Sequence, residues 1–217
     1  MVTGGLIIGV TLGLVSGYSG GRIDAFIMRT GEIFSSFPDI LLAIILAATL
    51  RPRIVDWVRW VEEHSFLDDL VKSGVADYVV ISLALVSFGW IGMARLVRGQ
   101  ILALKETQHV ESARAIGAST PRILFRHLLP NAISPVVVSV SMGMGSMVGV
   151  EIILSFLGIG IQPPRPSLGV MLFEGGVNVS ILRNWPWLLL APGIASWLMV
   201  LSWNLLGDAL NDVLNPR

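Results

Sequence analysis
Apolar segments of about the length needed to cross a bilayer recur five times along this chain, at residues 2–18, 32–50, 78–96, 133–157 and 185–206. A hydrocarbon core needs roughly 20 apolar residues of helix, with a range of about 17–25. Repeated segments of this kind restrict the chain to a set of membrane-crossing helices, because a helix satisfies its own backbone hydrogen bonds where lipid cannot. Composition agrees: 53% of residues are hydrophobic, 14% are charged and the mean hydropathy is +0.75, whereas a soluble domain carries about 25% charged residues. The expected fold is all-α and polytopic, a single transmembrane domain over residues 1–217.

The segments differ in detail. Residues 2–18 are uncharged and contain glycines that would weaken a soluble helix but let neighbouring helices approach closely in lipid. The first charges, Arg22, Asp24 and Arg29, follow this segment. Under the positive-inside rule they place the N-terminus outside and residues 19–30 in the cytoplasm. In the second segment Pro38 kinks the span or marks its start, and Asp39 reads as an interfacial acid held by a neighbouring helix. Residues 51–76 break the apolar pattern. Ile54, Trp57, Val58 and Val61 recur at helical spacing, while Arg53, Asp56, Arg59, Glu62 and Glu63 take the other positions. This reads as an external amphipathic insert lying on the outer surface with Trp57 and Trp60 at the interface, and contact with an external protein is the sharper alternative. The third segment ends at the basic flank of Arg95 and Arg98, and the fifth opens on Trp185-Pro186-Trp187. Between the fourth and fifth, Pro163-Pro164-Arg165-Pro166 and Gly169, Gly175 and Gly176 suggest an external stretch that folds back and helps close an outer mouth. Nine of the fifteen Lys and Arg residues fall on the side that this scheme makes cytoplasmic, together with the tail 207–217.

One long polar interruption stands in the middle, within the loop 99–130, from Glu106 to Pro130. It reads as ordered. Residues 106–116 contain no Gly or Pro, and Val110, Ala113 and Gly117 fall at i, i+3 and i+7, one helical face. Gly117 stands where a helix C-terminus favours a positive φ. Ser119 or Thr120 followed by Pro121 is a fresh N-cap with proline in the first turn. A second short helix is expected to about Leu129, with Pro130 separating it from the fourth span. Ala113, Ala115 and Gly117 present little bulk, so a partner surface can approach, and Glu111 and Arg114 beside them can fix its register by charge pairing.

Other chemistry is sparse. Net charge is zero, which leaves no electrostatic case for nucleic acid, and the absence of cysteine excludes disulfides, thiolate metal sites and a cysteine nucleophile. No G-x-x-x-x-G-K-[ST] loop is present, so ATP-driven work needs a separate ATPase polypeptide. His109 and Glu111 lie on different helical faces and His127 matches no zinc spacing, so no metal site is expected. Glu151, inside the fourth segment, should face protein or a water-filled path, since an ionised acid at the bilayer centre costs about 2.5–3.5 kcal/mol on insertion scales. It is weighed evenly between a gating role near a translocation path and simple helix–helix hydrogen bonding.

Glu111-Ser112-Ala113, then Gly117, then Leu129-Pro130 resemble the EAA loop of ABC importer permeases, with Ser112 in place of the first alanine. The likeness continues in Ala94 to Gln100, in Leu154 to Pro164, and from Asn204 to Leu210 with the ending Asn215-Pro216-Arg217. Together these resemble the C-type permease subunit of the dipeptide, oligopeptide and nickel branch. The resemblance covers nearly the whole chain except residues 51–76, where the family has a shorter connection. It implies a non-catalytic subunit of the cell's inner (plasma) membrane that forms half of a path for peptides, nickel or other small solutes. It implies a second homologous permease, two ATPase subunits that bind ATP and Mg, and an extracytoplasmic solute-binding protein, all acting across the lipid bilayer. The docking residues it assigns are Glu111, Ser112, Ala113, Arg114, Ala115, Gly117, Leu129 and Pro130, and it has an acid at the place of Glu151. Family members normally have six spans and an internal N-terminus. Against that pattern the first span and the short external segment after it are expected to be missing here. An ion-coupled secondary transporter is the alternative reading; it calls for paired broken helices and internal repeats, and no convincing repeat is visible.

Overall fold
The computed structural model describes residues 2–66, 69–162, 165–177 and 179–214, and all regular structure among them is helical. In chain order the elements are α1 (Val2–Ser19), α2 (Gly21–Ser35), α3 (Asp39–Glu63), α4 (Leu70–Ser73), α5 (Val75–Leu104), α6 (Gln108–Ala115), α7 (Thr120–Arg122), a π-helical turn (Ile123–Leu128), α8 (Leu129–Phe156), α9 (Leu168–Val177), α10 (Val179–Asn184) and α11 (Trp187–Leu214). The polytopic all-α expectation holds. Among the described residues three helices are long and apolar enough to cross a membrane, namely Val75–Leu104, Thr120–Phe156 and Trp187–Leu214. The number reaches four if α2 and α3 are counted together as one broken span.

Five spans are expected from sequence; residues 2–18 fall in α1, which is shorter than these helices and is not among them. Residues 32–50 do not form one straight element. Pro38 occupies the N-cap of α3 with φ −58° and ψ 124°, so the chain leaves helical geometry between Ser35 and Asp39. From Asp39 the helix then runs without a stop through residue 50 to Glu63. Pro52 lies inside it and removes one amide donor without ending it. Residues 51–63, half of the amphipathic stretch, are therefore the second half of α3. Val58 is buried there, whereas Trp57 and Trp60 point outward. The Pro163-Pro164 pair lies outside the described residues, as does the ending Asn215 to Arg217.

The chain divides into two compact units. The first takes its described residues from 1–37, 86–143 and 205–217, the second from 38–85 and 144–204. In the first, α1 packs on α5 through Gly5, Gly9, Gly13 and Gly17, which recur every four residues and so share one helical face. A methyl group on Gly9 would stand 2.7 Å from the Met93 Cβ and 2.8 Å from the Trp90 carbonyl oxygen. One on Gly13 would stand 2.7 Å from both the Ala94 carbonyl oxygen and the Val97 Cβ, and one on Gly17 2.8 Å from the Ile101 Cβ. This is the small-xxx-small contact that lets helices in lipid gain dispersion energy from backbone proximity. Leu14, Val97, Ile101, Val110, Ile123, Leu128, Ala132 and Val136 form the buried cluster of this unit. Across α1, α2 and α5, Asp24 accepts hydrogen bonds from Ser16 Oγ at 2.5 Å and from Arg98 Nε and Nη2 at 2.5 and 2.6 Å.

The second unit has its own cluster of Ala43, Ile81, Ala84, Leu154 and Ile161. Its polar centre is Asp77, in the first turn of α5 and only 5% exposed. The carboxylate is paired with Arg51 of α3 and, at 2.7 Å, with Arg165 Nη1. Arg165 also donates to the carbonyls of Val71 and Lys72, and Arg51 donates to the Gly160 carbonyl. One acid thereby joins α3, α4, α5 and the turn after α8.

Two outcomes test these contacts. Gly13→Ala should lower the thermal stability of the purified protein by about 1–3 kcal/mol, the usual cost of overpacking. Gly92→Ala, on α5 with nothing within 4 Å of the added methyl, should leave it unchanged. Asp77→Asn should cost on the order of 3 kcal/mol, because it leaves two guanidinium groups unpaired against the protein. Hydrogen exchange should rise first in the Arg165–Val177 stretch.

Candidate functional site
The polar interruption folds as a helix, a sharp turn and a second helix. α6 spans Gln108–Ala115 from an N-cap at Thr107. The Thr107 hydroxyl donates back to the Leu104 carbonyl at 2.5 Å, so it ties α6 to the end of α5 instead of capping α6. At the other end Gly117 has φ 81°. The Gly117 amide donates to the Arg114 carbonyl and the Ala118 amide to the Ala113 carbonyl, both at 3.0 Å. This is the Schellman pattern, and it closes the helix where the glycine leads the sequence to expect a stop.

Val110 is fully buried in the cluster that also holds Leu14 of α1, Val97 and Ile101 of α5, and Leu128, Ala132 and Val136 beyond the turn. Ala113 is buried beside it, 5% exposed. That corrects one expectation: Ala113 faces the protein's own core and offers no surface to a partner. Glu111, Ser112, Arg114, Ala115 and Gly117 share the exposed side. Glu111 and Arg114 make no ion pair among the described residues, and the Arg114 guanidinium lies 6.0 Å from the centroid of the Tyr18 ring.

Leu129 and Pro130 have different roles from one another. Leu129 packs against the buried cluster, whereas Pro130 is exposed. Pro130 does not separate two helices, contrary to the sequence reading. Thr120–Phe156 is one continuous 37-residue helical run. The turn just before the proline is π-helical, Ile123–Leu128, and the Leu129 amide bonds to the Leu124 carbonyl five residues back. The wider turn accommodates a ring that would collide with the carbonyl four residues back in regular α-helix. Asn131 Nδ2 donates to the His127 carbonyl at 2.6 Å and satisfies an acceptor at the same place.

Two exposed apolar side chains join this surface and were not singled out from sequence. Ile116 is 87% exposed and Phe125 63% exposed. The signal for Ile116 was present: it falls out of register with Val110 and Ala113 and directly precedes the glycine stop. Glu151 belongs to the other unit. It accepts a hydrogen bond from Ser155 Oγ at 2.7 Å, and Ser155 Oγ accepts from the Ile161 amide at 3.0 Å. Glu151 therefore braces the turn after α8 through Ser155, one helical turn along. Glu151→Gln keeps an acceptor oxygen and should retain the thermal stability of the protein. Glu151→Leu removes it and should cost about 1 kcal/mol, with faster amide exchange at Ile161.

A family model described as binding-protein-dependent transport system inner membrane component matches residues 9–217. The chain is 41% identical over 213 residues to the glutathione transport system permease protein GsiD of Pectobacterium atrosepticum, covering 98% of this chain and 62% of that protein. It is 36% identical over 216 residues to the dipeptide transport system permease protein DppC of Alkalihalophilus pseudofirmus, covering 100% of this chain and 62% of that protein. It is 32% identical over 212 residues to the oligopeptide transport system permease protein OppC of Bacillus subtilis, covering 98% and 61%. The chain thus spans about three-fifths of the length of the curated relatives it matches.

Proposed function
The chain belongs to the family of inner-membrane components of binding-protein-dependent transport systems, and we propose that it forms one half of the translocation path of an ATP-driven importer of peptides. As a family member it is a transport subunit and not a catalyst. Peptides lead as the cargo because the relatives named above carry glutathione, dipeptides and oligopeptides in their names. Nickel complexes and other small solutes are the remaining classes within the same branch. On this reading a second homologous permease completes the path, two ATPase subunits bind ATP and Mg and act from the cytoplasm, and an extracytoplasmic protein delivers the solute.

The observation that carries the proposal is the division of α6 into two faces. Val110 fixes it to the cluster that also holds residues of α1, α5 and α8 and Ala113 is buried as well, while Glu111, Ser112, Arg114, Ala115 and Ile116 are left uncovered. A short helix held so firmly on one side and bare on the other suits a partner that pushes on it. Closure of the ATPases on ATP would draw the two loops together and turn the cavity outward to receive solute. Apolar surface for the bilayer and the second permease is ample: α11 buries almost none of its apolar stretch within this chain. Charge pairs at the rim of such a contact contribute only about 0.2–1 kcal/mol, so affinity must come from shape and from apolar anchors such as Ile116.

Ala115→Trp is the direct test, since Ala115 is exposed and the change spares the buried face. Gly117 is less suitable, because its φ of 81° means that any side chain strains the cap itself. Co-purification of the ATPase and transport-coupled ATP hydrolysis should weaken by about thirtyfold in Ala115→Trp, the scale of a lost hot spot. Ala115→Ser should behave as the wild type. Unchanged assembly in Ala115→Trp, or uptake that follows an ion gradient without any ATPase, overturns the proposal and moves the secondary-transporter reading to the front.

A further inference from the structure
We propose that the first unit carries a binding site for the phosphate headgroup of an anionic phospholipid, in a cavity of about 520 Å³ lined by Asp24, Ala25, Met28, Arg29, Glu32, Arg95 and Arg98. This is independent of the docking surface, and it requires only that α5 crosses the bilayer.

The charges in the cavity are not equivalent. Arg98 is charge-paired by its two-pronged contact with Asp24. Arg29 is paired with Glu32 at 3.1 Å, on an exposed surface where such pairs hold weakly and exchange partners readily. Arg95 has no acid partner among the described residues; its Nη2 donates only to Ser35 Oγ, at 3.3 Å. Three guanidinium groups against two carboxylates leave one net positive charge facing an open cavity. A single anionic oxygen group fits that balance, and a guanidinium's planar fork of donors suits the two free oxygens of a phosphodiester.

Depth selects the source of the phosphate. Residues 78–94 of α5 are seventeen uncharged residues ending at Arg95. They rise about 26 Å as α-helix, nearly the thickness of a hydrocarbon core of about 30 Å. Arg95 is thus the first charge reached on leaving the apolar layer, at headgroup level. α2, which supplies Asp24 to Glu32, also presents Phe26 and Ile33 as exposed apolar side chains, 74% and 65% uncovered. A ligand with an anionic head and acyl chains uses both features, whereas free phosphate uses only the first.

The test is native mass spectrometry of the full chain purified in detergent. It is titrated with phosphatidylglycerol or with phosphatidylcholine of the same acyl chains, and in a parallel arm with inorganic phosphate. Phosphatidylglycerol should bind about fivefold more tightly than phosphatidylcholine, the contribution of one basic side chain at an anionic surface. Arg95→Ala should abolish that preference, Arg95→Lys should keep most of it, and Arg53→Ala, at an exposed arginine of α3, should keep it all. Thermal melting of each variant without added lipid shows that it is folded. Equal binding of the two lipids, or a preference that survives Arg95→Ala, overturns the proposal. Inorganic phosphate that stabilises the protein as well as phosphatidylglycerol, and does so through Arg95, also overturns it by making the site one for free anions.

Discussion
The spacing between α1 and α5 decides most of what the first unit can do. Glycine at every fourth position brings the two backbones together until a methyl group at Gly13 would sit only 2.7 Å from the Ala94 carbonyl oxygen. A larger residue there forces the two helices apart. Because α1 lies so close, Leu14 reaches Val97 and Ile101, and the same cluster takes in Val110 of α6. The Gly17 carbonyl comes within 3.4 Å of Lys105 Nζ, and Tyr18 comes under Arg114. Widening the α1–α5 contact by the breadth of a side chain would withdraw the floor on which α6 rests. The glycines cost helix propensity in water, but inside a membrane the return is van der Waals contact along the whole helix.

A second constraint is charge: two carboxylates drawn into the protein, Asp24 and Asp77, are each paired with guanidinium groups. Asp24 accepts from Ser16 and Arg98, and Asp77 is held between Arg51 and Arg165. In each case the carboxylate links segments that are distant in sequence. Asp77 and Arg165 are 88 residues apart. Such pairs add little net free energy over an apolar core of the same shape, yet removing one partner is costly, so they specify which segments meet. Gly74 belongs to this arrangement. With φ 84° and the Arg165 side chain 2.4 Å from where a Cβ would be, it is the residue type that both its backbone and its neighbour allow.

What the sequence revealed follows from how local each signal is. The stop at Gly117, the shared face of Val110 and Ala113 and the start at Ser119 depend on neighbours within four residues, and each is found where the pattern puts it. The break at Pro38 is local as well. The continuity through Pro52 and Pro130 was not legible, because a proline in isolation says that a hydrogen bond is lost and not whether the chain re-forms the helix around the gap. At Pro130 the answer lay in the shift to π-helical bonding upstream, which no residue pattern announces. Asp77 was passed over for a different reason. Its partners are 26 and 88 residues away, and nothing in the spacing of lone charges tells which will meet. Ala113 was read as surface for its small size, but its place three residues after Val110 outweighs that and turns it inward.

The same contacts bear on how motion at α6 could reach the helices behind it. A docking element that merely lay on the surface would yield under load and transmit little. α6 is instead restrained at both ends and beneath: Thr107 bonds to the last turn of α5, the Schellman turn fixes its exit, and Val110 is enclosed by side chains from α1, α5 and α8. Close-packed interiors transmit strain because they have few voids into which it can relax. Force applied to Glu111, Ser112, Arg114 and Ala115 therefore has no soft layer to dissipate in before it meets Leu14, Val97 and Val136. The π-helical turn at Ile123–Leu128 is an irregular stretch in that path, since its hydrogen bonds follow a rarer register than those on either side. If α8 bends as the proposed docking surface moves, the bend should begin there, at the turn that already departs from α-helical bonding to admit Pro130.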